Sequence, residues 1–106
     1  MAEMAEDRRR FPRQTYQAPL QYREAPLHPG QAQDLSEIGM TFEAGQLLHV
    51  GTPLELFLVN RNVQIDGVVQ NHTPIGQGRY RIGIHFDRPT PELVHVLTAA
   101  WNARHD

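Results

Sequence analysis

The sequence predicts a single all-β domain with one C-terminal helix, in which six antiparallel strands close into a barrel. Between Thr15 and Arg88, short segments carry apolar residues at every second position, which is typical of half-buried strands. Clusters of Pro, Gly and Asn separate these segments and favour turns. After Thr90 the apolar spacing becomes helical. Closure into a barrel would remove the exposed edges that six short strands otherwise leave.

Length and composition exclude several classes of protein. The chain has 106 residues, enough for one domain with one core, and it contains no cysteine and no lysine. Disulfides, thiolate metal ligands, cysteine nucleophiles and Schiff-base chemistry are therefore excluded. The sequence shows no export signal and no run of about 18 apolar residues, so we expect a cytoplasmic protein without membrane insertion.

Charge is distributed unevenly along the chain. Residues 1–14 contain four arginines and three acidic residues, whereas the remainder contains six arginines and nine acidic residues, a net charge of −3. An acidic body disfavours nucleic acid, which proteins bind through many phosphate contacts. A compact anion can still bind at the arginine cluster, because salt screens distant charges beyond about 8 Å at physiological ionic strength.

The N-terminal segment is predicted to lack regular structure. Residues 1–7 show no periodic pattern and are expected to form a flexible tail. Residues 8–14 form an arginine loop with the sequence Arg8-Arg9-Arg10-Phe11-Pro12-Arg13-Gln14. Because the proline holds the preceding phenylalanine in extended conformations, this stretch is predicted as a loop rather than a helix.

The first two strands are predicted to form a hairpin at the start of a barrel that spans residues 15–88. Apolar and polar residues alternate over Thr15–Arg23, where Pro19 favours a strand edge or a bulge. The cluster Pro26–Gly30 favours a turn. Gln31–Leu35 is then predicted as the returning strand.

This hairpin is expected to bring two distant motifs together. A strand of about nine residues rises roughly 30 Å, and the returning strand covers a similar distance. Arg13 and Asp34 are therefore predicted at the same end of the sheet. Asp34 begins a segment that contains Ser36, the only serine of the chain, and Gly39. Gly39 is predicted to take a positive φ at a strand corner, a conformation that costs other residues about 1 kcal/mol or more.

The remaining elements follow from the same patterns. The four further strands are predicted at Met40–Ala44, Pro53–Val59, Val63–Asn71, with a bulge at Gly67, and Tyr80–Phe86. Loops are predicted at Gly45–Thr52, Asn60–Asn62 and around Pro74–Gly78. The helix is predicted over residues 90–104, with Thr90 as N-cap, Pro91 in the first helical position and Glu92 beside it. Its apolar face comprises Leu93, Val96, Leu97, Ala100 and Trp101.

Taken separately, the two motifs have plain structural explanations. Arg8–Arg13 can be a solvated basic tail, and Asp34 and Ser36 can satisfy backbone groups at a strand corner. Together, one hairpin apart, they favour a ligand site. Guanidinium groups donate to phosphate and to the acceptor edge of guanine, while aspartate, serine and glycine offer an acceptor, a hydroxyl and a close backbone approach. The motifs therefore predict a small, guanine-bearing anion as ligand.

The order of these motifs resembles that of a known family. Arg9-x-x-x-Arg13, then Asp34-x-Ser36-x-x-Gly39, then the strand Tyr80–Phe86 and a terminal helix are similar to the PilZ domain, the bacterial receptor module for cyclic di-GMP. The resemblance covers essentially residues 8–104, and we assign residues 8–106 to the domain. It implies a six-stranded barrel whose arginine loop folds over the ligand.

The resemblance also implies roles for particular residues. The ligand-binding residues that the resemblance implies in this chain are Arg8, Arg9, Arg13, Asp34, Ser36 and Gly39. Arg9 and Arg13 would contact guanine and phosphate, Asp34 and Ser36 the guanine or phosphate edge, and Gly39 would permit close packing. One position departs from the family: many members carry a tryptophan near the end of the fifth strand, where Gln70 stands here. Glutamine does not stack on a base as an aromatic ring does, and the sequence leaves open whether one or two nucleotides bind.

These observations favour a receptor over an enzyme. Nothing places a histidine near Ser36, so no catalytic residues are predicted. The six histidines show no ligand-like spacing, and we expect neither a metal nor a cofactor. We therefore predict a cyclic di-GMP receptor or adaptor that changes its surface on binding and regulates an unidentified protein partner. The alternative is a PilZ-like interaction module that acts without nucleotide, against which the intact motifs argue.

Overall fold

The computed structural model describes residues 13–23, 27–59, 63–88 and 91–105. Its elements, in chain order, are β1 (Gln14–Arg23), β2 (Leu27–Leu35), β3 (Gly39–Ala44), β4 (Pro53–Leu58), β5 (Val63–Gly76), β6 (Arg79–Phe86) and α1 (Pro91–His105). The strands close into a barrel in the order β1-β2-β3-β6-β5-β4, and every neighbouring pair is antiparallel. The predicted fold class is therefore confirmed.

Alternation along the strands produces one apolar core inside the barrel. Each strand contributes inward side chains, among them Tyr22, Phe42 and Ile82, which are at most 1% exposed. The predicted apolar face of α1 joins this core through Leu93, Val96 and Leu97. The helix begins at Pro91 as predicted and extends to His105, whereas the predicted N-cap Thr90 lies outside the described residues.

The first hairpin turn is shorter than predicted. β2 begins at Leu27, and within the predicted turn Pro29 pairs with Gln21 and Gly30 with Leu20. Gly30 allows the side chain of Leu20 to pack closely against β2, because an added Cβ would lie 2.9 Å from Leu20 Cδ1. The prediction of a turn over Pro26–Gly30 was therefore wrong for residues 27–30, and Pro26 lies outside the described residues.

The fifth strand is longer than predicted. β5 runs to Gly76 instead of ending at Asn71, because its pairing with β6 continues to Gly76↔Arg79. The turn consists of Gln77 and Gly78, with φ of 58° and 73°. The prediction of a loop around Pro74–Gly78 was thus wrong except at the tip of this hairpin. The loop Gly45–Thr52 is confirmed, and the predicted turn Asn60–Asn62 lies outside the described residues.

The bulges do not lie where proline and glycine predicted them. Pro19 pairs regularly with Gln31 and lies one residue before the part of β1 that pairs with β4. Gly67 also pairs regularly, and an added Cβ would lie 2.7 Å from the carbonyl oxygen of His85. Register shifts instead occur between Thr15 and Ala18 in β1 and between Ala32 and Asp34 in β2. β5 has two further shifts, one between Val69 and Asn71 and the other between Pro74 and Gly76.

Gln14 is a buried polar residue between the barrel and the helix. Its side chain is 9% exposed, and its Nε2 donates to the carbonyl oxygen of Leu97 in α1 over 3.5 Å. Its Oε1 has no hydrogen-bond partner among the described residues. A buried acceptor without a partner costs free energy that water would otherwise offset.

Replacing this amide with an apolar side chain should therefore stabilise the fold. We expect Gln14→Met to raise the free energy of unfolding by about 1 kcal/mol, because an unsatisfied buried acceptor costs about 1–3 kcal/mol. Chemical denaturation measures the change. The control is Gln21→Met, at an exposed position of the same strand, which should alter stability by less than about 0.5 kcal/mol. A destabilised Gln14→Met variant would show that the contact with Leu97 outweighs the unsatisfied oxygen.

Candidate functional site

Arg13 and Asp34 meet at one end of the first hairpin, as predicted. Arg13 directly precedes β1, and the register pairs Thr15 with Asp34 near the end of β2. Arg13 Nη1 donates to Asp34 Oδ1 in an ion pair. The two side chains are 38% and 29% exposed, so both groups remain accessible to a ligand from the solvent.

A bulge in β2 turns Asp34 outward. Ala32 and Leu35 are both fully buried, and two residues, Gln33 and Asp34, lie between them instead of one. Strict alternation from Ala32 would direct Asp34 into the core. The extra residue reverses this orientation. The spacing of three between buried apolar residues is the sequence signal that could have revealed it.

Polar contacts hold the extra residue on the outer face. Gln33 Nε2 donates to Glu43 of β3, and Gln33 Oε1 accepts from Arg81 Nε of β6 over 3.3 Å. Arg79 Nη2 donates to the same glutamate over 3.2 Å. Both arginines are exposed residues of β6. The bulge is therefore connected to the two strands that continue the barrel beyond β2.

Gly39 allows close approach rather than an unusual backbone conformation. The described glycines with positive φ are Gly51, Gly76 and Gly78, so the prediction of a positive φ at Gly39 was wrong. An added Cβ would instead lie 2.3 Å from the carbonyl oxygen of Ile84 and 3.4 Å from Arg13 Nη2. The absent side chain thus leaves room for the neighbouring strand on one side and the guanidinium on the other.

Ser36 forms the turn that joins β2 to β3. Its side chain is fully buried, and its N–H donates to the carbonyl oxygen of Gly39 over 2.9 Å. Its Oγ donates to the same oxygen and accepts from the N–H of Ile38, each over 3.3 Å. In this conformation Ser36 is a turn former, the plainer of the two explanations considered for it. It keeps Gly39 close to Arg13 and Asp34.

The structure thus unites part of the predicted site. Arg13, Asp34 and Gly39 lie together, and the buried Ser36 is hydrogen-bonded to Gly39, whereas Arg8 and Arg9 lie outside the described residues. Within the described ranges, no group of three His, Cys, Asp or Glu side chains is arranged to hold a metal ion. No helix in the same part of the chain combines the length and apolar character needed to cross a membrane.

The described chain is thus a closed six-stranded barrel with one C-terminal helix, and it carries an arginine–aspartate pair where its first hairpin begins and ends. The family model of the PilZ domain matches residues 7–100. The chain belongs to the PilZ domain family. None of the curated proteins compared matches the sequence.

Solved structures share this fold at low sequence identity. The Bacillus subtilis inhibitor of motility MotI (DgrA) superposes with a TM-score of 0.72 at 12% identity, covering 92% of this chain and 51% of that chain. The PilZ domain of Escherichia coli YcgR, solved with cyclic di-GMP, gives 0.68 at 18% identity, with coverage of 92% and 95%. The K. pneumonia MrkH–cyclic di-GMP complex gives 0.67 at 18% identity, with coverage of 92% and 54%. The chain therefore spans about half of MotI and MrkH and nearly all of the YcgR domain.

The close approach at Gly39 predicts a measurable effect on stability. We expect Gly39→Ala to lower the free energy of unfolding by about 1–3 kcal/mol, because the new Cβ must displace the backbone of β6. Thermal and chemical denaturation measure it. Gly45→Ala is the matched control, since an added Cβ there meets nothing within 4 Å, and it should change stability by less than about 0.5 kcal/mol. Equal stability of the two variants would contradict the packing role of Gly39.

Proposed function

We propose that this chain is a receptor for cyclic di-GMP. The observation that carries the proposal is the exposed ion pair between Arg13 and Asp34, which joins two motifs one hairpin apart beside Gly39. Membership of the PilZ family supports it, because that family consists of binding modules rather than enzymes. The YcgR domain and MrkH, which share the fold, were solved with cyclic di-GMP.

The chemistry of the ion pair favours a ligand with both a guanine and a phosphate. The guanidinium of Arg13 can donate to phosphate oxygens or to O6 and N7 of guanine. The carboxylate of Asp34 accepts hydrogen bonds and can pair with the N1–H and N2–H groups of guanine. A purely anionic ligand would bind Arg13 and leave Asp34 without a hydrogen-bond partner. A guanine nucleotide has phosphate oxygens that accept from Arg13 and base N–H groups that donate to Asp34.

The rest of the motif completes the proposed site. Arg9 lies four residues before Arg13 and, with Arg8, adds guanidinium groups for the remaining phosphate and guanine acceptors. Gly39 leaves room for the carbonyl of Ile84 and for the guanidinium of Arg13, so that this guanidinium can lie against the barrel beside Asp34. Ser36 stabilises the turn that carries Gly39. Its hydroxyl is bonded to backbone on both sides, which disfavours a role as nucleophile.

The proposed mechanism is that of a ligand-operated adaptor. Residues 1–13 close across the nucleotide bound at the Arg13–Asp34 pair, and a partner protein recognises the new surface. The ligand stabilises the closed arrangement only to the extent that it binds that arrangement more tightly. The site lies where the N-terminal segment enters β1, so the binding event and the segment that moves are adjacent in the chain.

Binding should depend on Arg13 far more than folding does. We expect Arg13→Ala to weaken cyclic di-GMP binding by about 2–5 kcal/mol, the loss typical of one side of a desolvated charge pair. The free protein should lose less than about 1 kcal/mol of stability, because the ion pair is partly exposed. Arg9→Ala should weaken binding similarly. Isothermal titration calorimetry and thermal melting measure the two effects.

The matched control is Arg23→Ala. Arg23 also forms a surface ion pair, with Glu55 over 2.5 Å, but on another part of the barrel. Its loss should leave the affinity for cyclic di-GMP unchanged. Unaltered affinity in Arg9→Ala and Arg13→Ala would place the ligand elsewhere. A wild-type protein that binds no cyclic di-GMP would instead support the interaction module that acts without nucleotide.

Deleting residues 1–13 should separate folding from binding. The described barrel begins at Gln14, so the truncated protein should melt as the free full-length protein does. At a ligand concentration of 100 times the dissociation constant, the full-length protein should gain about 2.7 kcal/mol of stability. The truncated protein should lose that gain. Backbone amides of residues 1–13 should exchange more slowly with ligand than without it; equal rates in the bound protein would contradict the closing mechanism.

A further inference from the structure

Asp34 belongs to a row of residues that crosses four strands on the outside of the barrel. The register places Asp34 of β2 opposite Thr41 of β3, Thr41 opposite Gly83 of β6, and Gly83 opposite Asn71 of β5. Residues directly opposite each other in antiparallel strands project to the same face. The candidate site therefore continues as an outer surface from the Arg13–Asp34 pair to β5.

A second bulge turns Asn71 onto this face. In β5 the buried residues Ile65, Gly67 and Val69 alternate, and the same alternation would direct Asn71 into the core. The register shift between Val69 and Asn71 instead leaves Gln70 and Asn71 both exposed. The bulges of β2 and β5 thus have the same effect, since each moves one polar side chain of the row from the core face to the outer face.

Gly83 leaves room for the amide of Asn71 to lie against the barrel. A Cβ added at Gly83 would lie 2.6 Å from Asn71 Oδ1, 2.8 Å from Nδ2 and 2.9 Å from Cγ. The amide group of Asn71 therefore occupies the space that a side chain at Gly83 would fill. It lies in the row beside Thr41 while its outer edge stays exposed to solvent.

We propose that Asn71 forms a second base subsite of the ligand-binding face, one that accepts either guanine or adenine; this rests on the proposed function. Three strand spacings separate Asp34 from Asn71, roughly 14 Å, which is too far for both residues to bind one base. A ligand with two bases can occupy both ends of the row. The Arg13–Asp34 end requires guanine, because adenine lacks the N1–H and N2–H donors that a carboxylate accepts.

The Asn71 end is less selective because of its chemistry. A carboxamide presents an acceptor and donors side by side. It can pair with the O6 and N1–H of guanine, and equally with the donor and acceptor edge of adenine. The face therefore fits cyclic di-GMP and the mixed cyclic GMP–AMP, and it excludes cyclic di-AMP, which offers no guanine to Asp34.

Titrations with cyclic di-GMP, 3′,3′-cyclic GMP–AMP and cyclic di-AMP test this subsite. The wild-type protein should bind the first two within about tenfold of each other and the third at least a hundredfold more weakly, because adenine offers no donor to replace the guanidinium that Asp34 loses. Asn71→Ala should weaken cyclic di-GMP about tenfold, the loss of roughly one hydrogen bond of 1.4 kcal/mol. Asn71→Asp should raise the preference for cyclic di-GMP over cyclic GMP–AMP at least tenfold, since a carboxylate no longer donates to adenine.

Gly83→Ala distinguishes a positioned amide from a merely exposed one. The three atoms nearest to its added Cβ all belong to the side chain of Asn71 and none to the backbone, so this Cβ displaces the amide. Gly83→Ala should therefore reproduce the loss of affinity expected for Asn71→Ala. The double variant should bind no worse than either single variant, because both remove the same contact. Gln21→Ala, which removes an exposed amide from the outer face of β1, is the control and should bind as the wild type does.

Two results would overturn the subsite. One is wild-type affinity for cyclic di-GMP in both Asn71→Ala and Gly83→Ala. The other is a wild-type protein that binds cyclic di-GMP but rejects cyclic GMP–AMP a hundredfold. Either would leave the receptor function intact, whereas a wild-type protein that binds no cyclic dinucleotide would overturn the receptor function together with the subsite.

Discussion

The bulge at Gln33 is the constraint on which the candidate site depends. Without the extra residue, alternation from the buried Ala32 would place Asp34 in the core, where an ionised carboxylate is strongly unfavourable. With it, the carboxylate lies on the outer face and pairs with Arg13. The irregularity is fixed because Gln33 contacts Glu43 and Arg81 on the next strands of the barrel. Local strand geometry thus determines the chemistry that the surface presents.

Close packing against β6 explains one glycine in each neighbouring strand. A Cβ at Gly39 of β3 would meet the carbonyl of Ile84, and one at Gly67 of β5 would meet the carbonyl of His85. Gly83 of β6 is itself covered by an amide from β5. Glycine within a strand often marks such a close approach. At Gly39 and Gly67 the backbone of β6 therefore occupies the space that a side chain would need, and at Gly83 the amide of Asn71 does.

The sequence predicts the fold well and the site in part, for one physical reason. Periods of two and 3.6 residues depend on which face is buried, so six strands and one helix follow from the pattern. The bulge of β5 and its continuation to Gly76 depend on pairing with β6 and leave no clear local signal. The bulge of β2 leaves only a weak one, the spacing of three between the buried Ala32 and Leu35. The hairpin length was enough to unite Arg13 with Asp34, whereas the burial of Ser36 and the outward orientation of Asn71 required tertiary structure.

In the proposed receptor, the ion pair would also select among ligands. In the described structure Arg13 is already neutralised by Asp34, and the chain beyond residue 14 has a net charge of −3. Free phosphate or a long polyanion would therefore meet repulsion from the body and would separate the pair without offering Asp34 a donor. A guanine nucleotide exchanges one ion pair for two sets of hydrogen bonds, one to each partner. Selectivity of the proposed receptor would thus arise because the site is complementary to a ligand that carries donors and anionic acceptors together, rather than to negative charge alone.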